Sequence, residues 1–115
     1  MWLLTPTGFY SAVVTDDIDV LAVRTRTLDD ARRLVDRVFG DGDYSRVITR
    51  PHADYRHRVL LRRQQWTAFV GDEAAHIDYG NFKQAVAERQ GWAREAIYAD
   101  VWATLRRLQT GKSLT

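Results

Sequence analysis

A strand–turn–strand–helix pattern occurs twice in this chain, and it limits the fold more than any other feature. The first copy runs over residues 9–39 and the second over 46–70. In each, the returning strand carries an Arg–x–Arg step: Arg24 and Arg26, then Arg56 and Arg58. Side chains two apart on a strand share a face. The pattern therefore predicts a sheet with one basic face, its two copies lying side by side.

Residues 2–4 read as a short strand, closed by the turn Thr5-Pro6-Thr7-Gly8. Aromatic and β-branched residues from Phe9 to Val14 predict the next strand, and Val20 to Thr25 its hairpin partner. Thr27 suits an N-cap, with Asp29 and Asp30 beside the positive end of a helix dipole. Leu28, Ala31, Leu34, Val35 and Val38 then recur at helical spacing, up to the stop at Gly40. The second copy predicts strands over 46–50 and 55–61, joined through Pro51, then a helix from Trp66 that Gly71 ends or interrupts. A one-residue slip in register would reverse every face.

Beyond residue 80 the pattern is helical. Asn81 caps a helix with Gln84 at capping-box distance, and Gly91 breaks it. A longer helix over 93–108 carries Ile97, Val101, Trp102, Leu105 and Leu108 along one stripe. The expected fold is α+β: an antiparallel sheet from two ββα units, with helices on one face and a C-terminal helical segment. One domain is expected over 1–110, followed by a polar tail over 111–115.

Charge is unevenly spread. Residues 1–45 hold five arginines against eight acids, whereas residues 46–70 hold six arginines against Asp54 alone. Fifteen of the 17 basic residues are arginine, the side chain suited to bidentate recognition of phosphate or carboxylate. There is no cysteine, which excludes disulfides and thiolate chemistry. No apolar run approaches the length of a membrane span, and no basic region precedes the apolar start, so a cytoplasmic chain without membrane association is expected.

Met1-Trp2-Leu3, Gly8-Phe9-Tyr10-Ser11, Ala53-Asp54-Tyr55-Arg56 and Ile77-Asp78-Tyr79-Gly80-Asn81-Phe82-Lys83, followed by Arg94, Tyr98, Val101 and Trp102, form a set spread along the chain. In these residues the chain resembles a family of short, uncharacterised proteins of bacteria and their phages. The resemblance implies an accessory protein of a bacterial or phage genome and carries no catalytic residue with it.

Two groups of residues are candidate sites. Arg24, Arg26, Arg46, Arg50, Arg56 and Arg58 are expected on the exposed sheet face, where arginines track phosphates and stack on bases. Tyr10 is the aromatic that fits that surface, whereas alternation with Arg56 turns Tyr55 to the other side. The plainer reading is a solvated arginine face paired with acids. Tyr79, Asn81, Lys83, Trp92, Tyr98 and Trp102 form a candidate partner-contact set. Its plainer reading is a capped helix start with Tyr79 against Phe82, and aromatics that pack with Trp66 into a core. His52, His57 and His76 match no metal-ligand spacing, and no phosphate loop, dinucleotide fingerprint or nucleophile elbow is present.

The leading expectation is a non-enzymatic binding module without cofactor or metal. Its partner would be a protein, either a host protein or a second copy of the chain. The alternative is nucleic acid, or another polyanion, on the arginine face. A small hydrolase or transferase using Tyr79, Asn81 and Lys83 ranks last, since no base–nucleophile pair can be named.

Overall fold

The computed structural model describes residues 1–110; the expected polar tail over 111–115 lies outside them. The chain forms two compact units, residues 1–77 and a helical unit from Asp78 onward.

The first unit is a five-stranded antiparallel sheet with two helices. Its strands are β1 (Trp2–Thr5), β2 (Gly8–Val14), β3 (Val20–Thr25), β4 (Val47–Thr49) and β5 (His57–Arg62), in the order β1-β2-β3-β5-β4. Helix α1 (Leu28–Val38) follows the first hairpin and α2 (Arg63–Ala75) the second. The two ββα units thus lie side by side, joined where β3 pairs with β5, and the fold is α+β.

Alternation decides which strand residues meet the helices. Tyr10, Ala12, Leu21, Val23, Val59 and Leu61 point to one side, where they pack with Ala31, Leu34 and Val35 of α1 and Trp66 and Phe69 of α2. Trp66 stacks on Phe69 with centroids 5.5 Å apart, and Tyr10 meets Phe69 edge-on at 5.3 Å. Tyr10 is therefore a core residue, not part of the arginine face. Burial pushes its phenol pKa well up, and the nearby Asp30 and Glu73 carboxylates add to the shift.

Helix α1 starts as its sequence dictates. The Thr27 hydroxyl accepts a hydrogen bond from the Asp30 amide at 3.2 Å, and Asp29 and Asp30 occupy the first turn. Asp30 is fully buried: its carboxylate accepts from the Phe9 amide at 3.0 Å and from Arg33 at 3.1 Å, tying α1 to the start of β2. Arg33 also donates to the carbonyl of Thr7 in the β1–β2 turn. Gly40, with φ of +67°, ends the helix in a conformation few other residues adopt.

Gly71 neither ends nor interrupts α2, although glycine weakens a helix interior. Tertiary contacts override it. Trp66 and Phe69 anchor the buried side of the helix, and Arg37 of α1 reaches Asp72 and Glu73, both at 2.6 Å, one on each Nη. Arg46, expected on a strand, lies instead in a single 3-10 turn (Tyr44–Arg46) before a β4 of only three residues.

The second unit contains α3 (Phe82–Gln90), α4 (Trp92–Leu105) and the short α5 (Arg107–Thr110). Asn81 caps α3, its Oδ1 accepting from the Gln84 amide at 2.9 Å, and Gly91, with φ of +89°, separates α3 from α4. The expected helix over 93–108 is divided at Arg106. Among the described residues no helix is long and apolar enough to cross a membrane.

Candidate nucleic-acid interface

The side of the sheet away from α1 and α2 carries the other half of each strand. Pairing sets its rows: Trp2 opposes Ser11, Ser11 opposes Arg24, Arg24 opposes Arg58, and Arg58 opposes Ile48. One line across all five strands therefore reads Trp2, Ser11, Arg24, Arg58, Ile48. The next row inward on β2, β3 and β5 is apolar, formed by Val13, Ala22 and Leu60.

Arg24 and Arg58 are the centre of this face. They stand directly opposite one another on neighbouring strands, an arrangement that is destabilising for like charges. Among the described residues neither has a carboxylate within 4.0 Å. Arg24 Nη2 donates to the Ser11 hydroxyl at 2.8 Å, and Arg58 Nη2 to the Tyr55 carbonyl at 3.4 Å. The Nε of each lies out of solvent with no acceptor. Arg24 and Arg58 thus stand at opposing strand positions without an acid partner, each with one donor left over.

Tyr55 belongs to this face as well, against the expectation from alternation. It precedes β5, which begins only at His57, so the strand period does not apply to it. Its ring is buried beneath the guanidiniums of Arg24 (4.4 Å) and Arg26 (4.2 Å). Phe9 packs on the Tyr55 ring at 6.3 Å, and Trp2 meets Phe9 edge-on at 5.8 Å. An aromatic chain Trp2–Phe9–Tyr55 therefore runs beside the arginines. Trp2 is 67% exposed.

The remaining predicted arginines divide. Arg26 is partly engaged, its Nη1 donating to the Asp54 carboxylate at 2.9 Å and to the Asp54 carbonyl at 2.8 Å. Arg56 and Arg50 flank the β4–β5 connection, where the Arg50 amide donates to the Arg56 carbonyl at 2.8 Å. Arg46 leaves the site. Its guanidinium stacks on Phe39 at 3.8 Å and pairs with Asp41 at 2.7 Å, holding the Asp41 carboxyl below its usual pKa. Arg62 was missed by the sequence reading; it opposes Val20 at the exposed end of β5, two positions beyond Leu60 on the same face.

In the second unit the partner-contact residues separate by role. Tyr98 is buried and stacked on Phe82 at 5.8 Å, and Tyr79 packs on Phe82 at 6.0 Å. Lys83 lies over the Trp102 ring at 4.5 Å, and Asp78 pairs with Arg89 at 3.3 Å. Asn81 is the cap described above. The plainer reading, helix capping and packing, thus accounts for Tyr79, Asn81 and Tyr98. It does not account for Trp92 and Trp102, which are 78% and 52% exposed. Ile97, Leu105 and Leu108 of the apolar stripe are exposed too.

Among the described residues no group of three or more His, Asp or Glu side chains is placed to hold a metal ion. His57 Nδ1 shares a hydrogen bond with the Thr49 hydroxyl at 3.0 Å, and His76 Nδ1 lies 3.3 Å from Asp72. A hollow lined by Asp17, Asp19, Arg62, Arg63 and Thr67 offers charge of both signs without a nucleophile–base pair. Comparison of the chain with protein-family models, curated proteins and solved structures finds no match.

Proposed function

We propose that this chain is a small binding protein that takes single-stranded nucleic acid on the sheet face away from its helices. One observation carries the reading: Arg24 and Arg58 oppose each other across β3 and β5, and among the described residues neither has a carboxylate within 4.0 Å, the nearby Asp54 being paired with Arg26. Like charges held together on a sheet cost stability, and an oxyanion removes that cost. The aromatic chain that ends in exposed Trp2 supplies a stacking surface beside the charge. An accessory role in a bacterial or phage genome accompanies the proposal through the family resemblance.

The test is fluorescence anisotropy with labelled single-stranded and duplex oligonucleotides at low and physiological salt. The reading expects binding to single strands that weakens steeply with salt, since each phosphate contact releases counterions. Absence of binding at low salt, where screening is least, overturns it.

A protein partner remains the second reading, favoured by the exposed α4 stripe of Ile97, Trp102 and Leu105. Trp102, with Lys83 over its ring, has the character of an interface anchor. Sedimentation across a concentration series separates self-association from a monomer whose partner is another protein.

A further inference from the structure

The sheet face has a feature that bears on which nucleic acid it takes and how much of it, and this inference rests on the reading above. The strand positions on that side are Trp2, Leu4, Phe9, Ser11, Val13, Val20, Ala22, Arg24, Ile48, Arg58, Leu60 and Arg62. None is Asn, Gln, Asp or Glu, and the one hydroxyl, Ser11, is buried and occupied by Arg24. Amide and carboxylate side chains are the usual readers of base edges, along with arginines freed to enter a groove. Here the guanidinium of Arg24 lies over the Tyr55 ring and bonds Ser11, and that of Arg58 turns to the Tyr55 carbonyl instead.

The charged and stacking groups lie on one line. Trp2 to Arg24 is two strand spacings and Trp2 to Arg58 three, about 10 and 14 Å at about 4.8 Å per strand. Trp2 is held for this: its strand is extended by the Ala12 amide donating to the Met1 carbonyl at 2.9 Å, and its ring rests on Phe9. At about 3.4 Å per stacked nucleotide, a 14 Å track accommodates about four nucleotides.

We infer that Trp2, Arg24 and Arg58 form a track that crosses the strands and binds about four nucleotides of single strand without regard to sequence. Trp2 stacks one base at the β1 edge. Arg24 and Arg58 share the phosphates that follow. Duplex is a poor ligand because its bases are already stacked and offer Trp2 no free face.

The experiment is a titration of the full chain with oligonucleotides of about two, four, six and eight nucleotides, as thymidine, cytidine and adenosine homopolymers. Trp2→Ala and an Arg24→Met/Arg58→Met double variant are compared with wild type, with melting temperatures measured for each. The expected result is affinity that rises up to about four nucleotides and then changes only by the number of overlapping registers. The three bases should bind within about threefold of one another. Trp2→Ala should lose about tenfold in affinity with an unchanged salt slope. The arginine variant should lower the slope magnitude by about 1.4, the value for two phosphate contacts on a single strand.

Binding that persists undiminished in folded Trp2→Ala and double-arginine variants overturns the track and takes the site off these residues, while single-strand binding itself stands. A preference for one base also overturns the track, whereas a preference for duplex overturns the single-strand reading as well. If no single strand binds at low salt, track and function fall together.

Discussion

Replacing Arg58 by methionine should make this protein more stable, an unusual result for a half-buried strand residue. Cβ atoms directly opposite on antiparallel strands are about 4.5–5.5 Å apart, and like charges there destabilise by about 0.2–1 kcal/mol. Coulomb's law gives a similar scale: unit charges about 4 Å apart repel by about 1 kcal/mol in water, less when farther apart and more as the local dielectric falls. Arg58 offsets little of this, since its one hydrogen bond, to the Tyr55 carbonyl, is long at 3.4 Å. Its Nε is buried without an acceptor, a further cost that methionine removes. Methionine also keeps an unbranched apolar stem at the position opposite Ile48. The net gain should be about 0.5–1 kcal/mol, which moves a urea midpoint up by about 0.3–0.7 M at an m-value of about 1.5 kcal/mol/M. Urea unfolding followed by circular dichroism, at low and at about 0.5 M salt, is the assay; the gain should shrink with salt. A double-mutant cycle with Arg24→Met should return an unfavourable coupling between the two arginines. A loss of stability in Arg58→Met, or a favourable coupling, would refute the idea that the pair is held together against its own repulsion.

Other perturbations probe the frame around the face. Asp30→Ala should cost about 2–3 kcal/mol in urea unfolding, because the buried carboxylate serves the Phe9 amide and Arg33 at once. Tyr10 should make stability fall as pH rises above about 10. The unfolded phenol ionises there while the folded one, its pKa raised, stays protonated; Tyr10→Phe should lose that alkaline slope in a pH series of melts. Gly8→Ala should destabilise by about 1–3 kcal/mol, since a Cβ would clash with the buried Tyr10 hydroxyl; thermal melts check it. Asn81→Ala should cost about 1 kcal/mol of helical-unit stability, read by hydrogen exchange of the first-turn amides of α3.

Local rules made much of this fold legible. The β2–β3 hairpin follows from aromatic and β-branched strands around a polar turn, and α1 follows from Thr27, Asp29 and Asp30 ahead of an apolar repeat. Asn81 with Gln84 marked α3 for the same reason: a cap acts over three residues, so neighbouring sequence contains it. The site was only half legible. Arg24 and Arg58 were both placed on the open face, yet their direct opposition depends on the β3–β5 register, fixed by tertiary packing across more than 30 intervening residues. Tyr55 was placed on the wrong side because the alternation rule was run past the start of β5, into a turn that follows no such period. Arg46 was lost from the face because β4 is a residue shorter at its start, and Asp41 and Phe39 claim its guanidinium. Periodicity also predicted the α4 stripe without telling whether anything covers Ile97, Trp102 and Leu105; burial is a property of the packed chain, and the spacing is the same in either case.

The central claim is that ligand meets this protein on the sheet face away from α1 and α2. The most direct measurement is a titration of isotope-labelled protein with a short single-stranded oligothymidylate, following amide, Trp indole and Arg Nε signals by NMR. The account predicts shifts concentrated at Trp2, Phe9, Ser11, Arg24, Tyr55 and Arg58, with Val35 of α1 and Phe69 of α2 unmoved. Shifts confined to α4, or none anywhere at low salt, would contradict it.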